Sequence, residues 1–337
     1  MQNYFIGGVG MSLPIMVGAG ACKTPMSTLP YMRHDVSVGA VSTGSYTPQI
    51  RTGNEGVLSW PEDASEFMQE VVGLNSFGMP NMGNERAAAE LKRFSLAHPL
   101  IASVAGFSVD DYVAGVRAFD SVPCVSAIKA NLGCPNVHGK PVPIAYDPDS
   151  LLEILEAMFQ LQPTKPIWLK LSPYITAKER DNLQSTYPLI DFSNVPVVDP
   201  GFLGDILSIV WEYQHFVRAV VFSNTLPNVT ILGESGNPVT TPNGGKAGLS
   251  GKILRPISIN LIRQAATMLP GHVDLIGSGG VTHGDHAVEY FAAGAQAVFC
   301  TSGPFWAGNN PRFFADMLSG SERLQEYLSQ HSQHKED

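Results

Sequence analysis

PIWLKLSPY, residues 166–174, carries the architecture of this chain in miniature. The stretch is short, flanked by prolines, and apolar on both faces except for one lysine. A half-solvated strand alternates apolar and polar residues. A strand of a parallel sheet covered by helices does not. Seven further stretches read the same way: PIMVGAG (14–20), SVGAVST (37–43), PLIASVAG (99–106), VSAIKANL (125–132), RAVVFSN (218–224), VDLIGSG (273–279) and QAVFCTSG (296–303). Helical spacing of apolar residues lies between most of them. SVDDYVAGVRAFD (108–120) opens on a capping serine and DPDSLLEILEAMFQ (147–160) on acidic residues suited to a first turn. ISINLIRQAATML (257–269) and THGDHAVEYFAAG (282–294) complete the set. Eight strands alternating with helices predict an α/β fold, a (β/α)₈ barrel of the TIM type. A doubly wound open sheet is the alternative, and spacing alone does not separate the two.

The rest of the chain fits one such barrel. It has 337 residues, 44% hydrophobic and 15% charged, as in an ordinary globular protein. The reading gives one barrel domain over 1–320 and a polar tail, 321–337, ending in a frayed helix. The net charge of −9 argues against a nucleic-acid partner. No apolar run reaches the roughly 18–20 residues of a membrane span. The start, MQNYFIGGVGMSLPIMVGAGACK, lacks the basic region of a signal peptide and reads as a strand entering a core. Four cysteines without a CxxC pair suggest neither a disulfide framework nor a metal site. The expected setting is the cytoplasm. Two stretches, 44–98 and 225–250, are too long for simple connections. Both follow a strand, on the face where barrels carry active sites, and are expected to be lids or binding loops.

Small and polar groups gather just past the strands. They are Gly18, Ala19 and Gly20 followed by Lys23, then Ser42 and Thr43, and Asn131 followed by Cys134. Next come Lys170, the run Ser223, Asn224 and Thr225, the glycines Gly277, Gly279 and Gly280, and finally Cys300 and Thr301. Glycine turns after the last two strands let backbone N–H groups approach a phosphate-bearing cofactor, although turns use glycine anyway. Lys170 has three readings: a lysine reaching solvent, a cation set against an electron-rich cofactor, or a Schiff-base amine of an aldolase barrel. A free cysteine is commonly a small buried hydrophobe, and Cys22, Cys124 and Cys300 fit that description. Cys134 differs. It stands in the loop KANLGCPNVHGKP (129–141), with Asn131 and Asn136 on either side. Its unperturbed pKa of about 8.5 would let it take a proton near neutrality.

These motifs resemble a family. NLGCPNVHGKP resembles the Asn-Leu-Ser-Cys-Pro-Asn-Val-Pro-Gly-Lys-Pro motif of class 1A dihydroorotate dehydrogenases, and LNSFGMPNMG (74–83) resembles their Asn-Ser-Met-Gly-Leu-Pro-Asn-Leu-Gly loop. GLSGKILRP, IGSGGV and FAAGAQAV follow in the family's order, so the resemblance spans about residues 10–310. It implies a barrel holding FMN at its C-terminal face. Substrate would lose a hydride to the flavin and a proton to a loop base, here Cys134. Asn75, Asn131, Asn136, Asn224 and Thr225 would hold a planar substrate, with the backbone of Gly78 and Met79. Lys170 would meet the flavin. Ala19, Gly20, Ser42, Thr43, Asn131, Ser223, Gly251, Gly279, Gly280, Cys300 and Thr301 would line the cofactor. A soluble acceptor such as fumarate and a homodimer are also implied.

Three features depart from the family pattern. The lysine of the class 1A Lys-Ser pair is replaced by Gly44. Lys23, in an Ala-Gly-x-x-Lys arrangement like that of class 2 members, could supply the missing substrate-facing charge. The serine before the cysteine is Gly133, from which a reshaped pocket is expected. The stretch 175–217 is also longer than the family leads one to expect. Beside dihydroorotate oxidation stand a paralogue acting on another cyclic C–C bond next to a carbonyl, a Schiff-base aldolase, and a flavin-binding protein without turnover.

Overall fold

The computed structural model describes residues 4–61, 72–134, 142–269 and 271–331. Its strands in chain order are β1 (Tyr4–Ile6), β2 (Val9–Met11), β3 (Ile15–Val17), β4 (Ala40–Tyr46), β5 (Ser59–Trp60), β6 (Val72–Asn75), β7 (Leu100–Val104), β8 (Val125–Asn131), β9 (Ile167–Lys170), β10 (Ile190–Asp191), β11 (Val217–Phe222), β12 (Leu226–Ile231), β13 (Ala247–Gly251), β14 (Asp274–Ser278) and β15 (Ala297–Cys300). Eight of them close a parallel barrel in the order β11-β14-β15-β3-β4-β7-β8-β9, with β9 pairing back to β11. Each of the eight apolar stretches supplies one of these strands, so the barrel holds and the open sheet does not.

The strands are apolar on both faces because both faces are covered. Outward side chains such as Val17, Val41, Leu100, Ile128, Leu169 and Val298 join the core under the helices. Inward ones, among them Met16, Ala40, Ile101, Ala127, Trp168, Val221, Ile276 and Phe299, fill the barrel. The expected helices form at Val109–Asp120, Pro148–Gln160, Leu254–Met268 and Gly284–Ala292, and Ser108 accepts from Asp111 N at 3.3 Å as a cap.

Three regions are more structured than their sequence suggests. The N-terminus is a β1–β2 hairpin whose Ile6, Val9 and Met11 enter the barrel core. Gly7 O accepts from Trp168 Nε1 at 2.8 Å, and Gly7 N donates to Asp274 Oδ2 at 2.6 Å, which seats the hairpin at the N-terminal end of the strands. The 44–98 and 225–250 stretches are not open loops: with β10 they build a five-stranded sheet in the order β10-β12-β13-β6-β5. Its core takes Leu74, Leu226, Val229, Ile231, Ala247 and Leu249. Glycine, proline and asparagine at the turns masked these apolar positions. The long 175–217 stretch holds the barrel helix Phe202–Glu212, preceded by an added helix, Ala177–Thr186, and by β10 at the sheet's edge. The terminal helix Glu322–His331 packs Leu324 into the outer core and stacks Tyr327 on Phe291.

Candidate active site

Inward positions alternate along a strand, so the polar layer at the C-terminal end of the barrel follows from the apolar layer beneath it. Above Ala40, Ile101, Ala127, Trp168, Val221, Ile276 and Phe299 come Ser42, Ser103, Lys129, Lys170, Ser223, Ser278 and Thr301. All but Ser42 line one cavity, which encloses about 1210 Å³ including its open mouth. The five-stranded sheet and the loop 76–83 contribute the opposite wall through Leu74, Asn75, Phe77, Gly78, Met79 and Ser250.

Asn131, at the end of β8, and Asn224, just past β11, meet in this cavity. Asn224 Nδ2 donates to Asn131 Oδ1 at 2.8 Å. Asn131 Nδ2 donates to Ser45 Oγ at 2.9 Å, and Ser45 Oγ lies 2.8 Å from Ser103 Oγ. Asn224 Oδ1 accepts from Thr225 N at 2.8 Å, while Tyr112 Oη donates to Asn131 O at 3.0 Å. The amides are fixed from behind and keep their remaining donors and acceptors for a ligand. Cys134 lines the cavity beside them. Met79 and Gly78 turn through positive φ, and their carbonyls are held by Asn81 Nδ2 at 3.0 Å and Arg51 Nε at 3.2 Å.

The cavity is cationic. Among the described residues its lining contains Lys23, Lys129 and Lys170 and no aspartate or glutamate. Burial brings Lys23 down to about 8, and its Nζ lies 3.4 Å from the centroid of the Phe77 ring. Burial likewise brings Lys170 to about 8, partly opposed by the charge of Cys134. Lys129 is 1% exposed, and burial, assisted by Lys170, holds it well below the usual lysine range. Three lysines without a carboxylate, in a chain of net charge −9, call for an anionic or electron-rich ligand.

Most residues singled out in the sequence meet here. Ala19, Gly20, Lys23, Asn75, Gly78, Met79, Asn131, Cys134, Lys170, Ser223, Asn224, Thr225, Gly279, Gly280 and Thr301 all line the cavity. Asn136 lies outside the described residues. Four others are not brought to the surface of the cavity. Strand alternation turns Cys300 outward, where its Sγ meets Met317 Sδ at 3.8 Å in the outer core. Thr43 also points outward and donates to Cys22 O at 3.0 Å. Ser42 sits below the floor, under Lys129. Gly251 lies behind Gly280.

The two glycine departures have separate causes. Gly44 has φ +107°, and a Cβ there would stand 2.5 Å from Ser103 O, so this backbone excludes a lysine. Gly133 does not face the cavity. A Cβ on it would stand 2.9 Å from the Leu171 carbonyl, so glycine lets the Cys134 loop close onto the end of β9. Residues that the sequence reading missed are Ser45, Ser103, Phe77, Phe305 and above all Lys129. Lys129 had the same signal as Lys170, one lysine on an apolar strand.

The comparisons with known proteins match this barrel. The family profile described as dihydroorotate dehydrogenase matches residues 3–195 and 205–319. The chain belongs to the dihydroorotate dehydrogenase family. It is 28% identical over 325 residues to the dihydroorotate dehydrogenase B (NAD(+)) catalytic subunit of Enterococcus faecalis, covering 96% of this chain and 91% of that one. It is 28% identical over 293 residues to the dihydroorotate dehydrogenase (fumarate) of Kluyveromyces lactis, covering 85% and 81%. The solved DHODH of Eimeria tenella in complex with ferulenol shares the fold at a TM-score of 0.69 and 19% identity, over 96% of this chain and 84% of that one. Dihydroorotate dehydrogenases are flavin-dependent. The residues present fit a flavin: among the described residues the lysines of the lining have no carboxylate beside them, and the buried hydroxyls of the lining residues Thr225 and Thr301 have no hydrogen-bond partner. Among the described residues no helix is long and apolar enough to cross a membrane.

Proposed function

We propose that this protein is an FMN-dependent oxidoreductase that oxidises dihydroorotate to orotate, a step of pyrimidine biosynthesis. The observation that carries the reading is a cavity with three lysines, a fixed asparagine pair and Cys134, and no carboxylate among the described residues. Bound FMN would supply the hydride acceptor. Ala19, Gly20, Ser223, Gly279, Gly280 and Thr301 would hold it, with Lys170 at its ring. Asn75, Asn131, Asn224 and Thr225 would orient the substrate's amide edges, since an amide both donates and accepts. The backbone of Gly78 and Met79 would complete that wall. Lys23 would meet the substrate carboxylate, the role closed to position 44. Cys134 would take the proton.

A small soluble oxidant such as fumarate is the acceptor we favour, in a cytoplasmic homodimer. The Kluyveromyces lactis relative carries fumarate in its name and the Enterococcus faecalis relative NAD(+). The test is direct. The purified protein should be yellow, with about one FMN per chain, and should bleach anaerobically on adding dihydroorotate. A protein that cannot be loaded with FMN would overturn the flavin reading and return Lys170 to the aldolase reading. A flavin that bleaches only with another dihydro-heterocycle would move the substrate and leave the chemistry.

A further inference from the structure

Lys129 is used by none of the roles above. It is a fully buried lysine on β8, in the polar layer that floors the cavity. Its Nζ donates to Ser42 Oγ at 2.7 Å and lies 4.3 Å from the centroid of the Phe299 ring. No ion pair of Lys129 is found among the described residues, and none of the lining residues is acidic. Lys170 faces the same cavity from the neighbouring strand β9, where Lys129 pairs with Trp168 and Asn131 with Lys170, so Lys170 stands one inward position above the level of Lys129. Two lysines therefore face one cavity from adjacent strands, and Lys129 is held by a hydroxyl and a ring face instead of a carboxylate. A buried ammonium without a counter-charge is expensive and needs a compensating group. The protein supplies a hydroxyl and a quadrupole, so the full counter-charge is left to the ligand.

We infer that Lys129 is a second cationic contact for the cofactor, which with Lys170 holds the negative charge that the flavin ring gains on reduction. The inference rests on the flavin reading. In that reaction one substrate C–H bond gives up a hydride, two electrons with one proton, and Cys134 takes a second proton from the neighbouring carbon. The new C=C bond would form, and one extra negative charge would be left for the site to hold. Lys129 and Lys170, both in the cavity lining, would supply the positive charge for it. The contacts of Lys129 among the described residues, Ser42 Oγ and the Phe299 ring, lie one inward position below Asn131 on the same strand, beneath the amide pair that would hold the substrate.

The test uses FMN-loaded protein and sodium sulfite, which adds to the flavin ring and leaves a negative charge on it. Lys129→Met keeps the length of the side chain and removes the charge. Once loaded with FMN it should bind sulfite at least tenfold more weakly and show a lower two-electron midpoint potential, by about 30 mV for each tenfold. Lys129→Gln, which keeps a hydrogen-bond donor, should lose as much. Wild-type sulfite affinity and potential in FMN-loaded Lys129→Met would overturn the inference, as would recovery in Lys129→Gln, since a hydrogen bond would then suffice. Failure of the wild-type protein to take up FMN is a different result. It removes the flavin reading, and this inference with it.

Discussion

Lys23 Nζ lies 3.4 Å from the centroid of the Phe77 ring and 5.5 Å from that of Phe305, in the lining of a cavity that holds no carboxylate among the described residues. Two aromatic faces keep a buried ammonium without neutralising it. The charge therefore remains available to an anionic ligand.

Replacing Lys23 by Met should weaken orotate binding by about 1–3 kcal/mol, the scale of a charge-assisted hydrogen bond. A neutral analogue should lose much less. The pH dependence follows in sign. Lys23 is cationic below its pKa of about 8 and neutral above it. Orotate affinity should therefore be level at lower pH and fall as pH rises through about 8. Lys170 titrates in the same window, so Lys23→Met should reduce the fall without abolishing it. Titration calorimetry across pH 6–10 reads both effects. Equal losses for charged and neutral ligands would assign Lys23 to the fold.

Gly44→Lys, which restores the residue of the class 1A pattern, should not restore its function. The backbone at Gly44 has φ +107°, and the new Cβ would press on Ser103 O. A cost of about 1–3 kcal/mol is expected in chemical denaturation. The double variant Lys23→Met with Gly44→Lys should bind orotate no better than Lys23→Met alone. Rescue by Gly44→Lys would mean that the strand end yields more readily than its geometry indicates.

Asn224→Asp tests the amide pair. Asn224 Nδ2 donates to Asn131 Oδ1, and an aspartate would set two acceptors against each other. Asn131 must then turn its amide over, reversing the pattern it offers the ligand and breaking its donation to Ser45. Orotate affinity should fall by about 1–3 kcal/mol while FMN loading is kept. Unchanged affinity would show that this pair serves the strand ends and not the substrate.

The barrel was legible because parallel strands buried on both faces leave continuous apolar runs. PIWLKLSPY and RAVVFSN needed no partner information to be read as β9 and β11. The five-stranded sheet was not legible. Leu226, Val229 and Leu249 are apolar positions diluted by turn residues, and the pairing of Leu249 with Leu74 is a long-range contact that no local pattern encodes. In the site, strand ends pointed to the right mouth, but side-chain direction needed the register. Cys300 and Thr43 fall on outward positions beside inward Phe299 and Ser42. Lys129 was hidden inside VSAIKANL, where a single lysine reads as one polar residue until its strand closes into a barrel.

Cys134 is expected to be the base. It lines the cavity beside Asn131, on a loop seated against the end of β9 through Gly133. Lys170 is close enough to feel its charge. The thiolate is the form that accepts a proton, so the reductive half-reaction should speed up as pH rises towards the pKa of the cysteine and then level. Cys134→Ala should keep FMN and orotate but slow flavin reduction by roughly 10²–10⁴, the usual worth of a general base. Cys134→Ser should keep some activity, displaced to higher pH because serine is the weaker acid. Anaerobic stopped-flow reduction of the flavin by dihydroorotate, across pH 6–10, separates the three proteins. If Cys134→Ala reduces its flavin at the wild-type rate, the thiol only fills space, and the proton leaves by another group of this cavity.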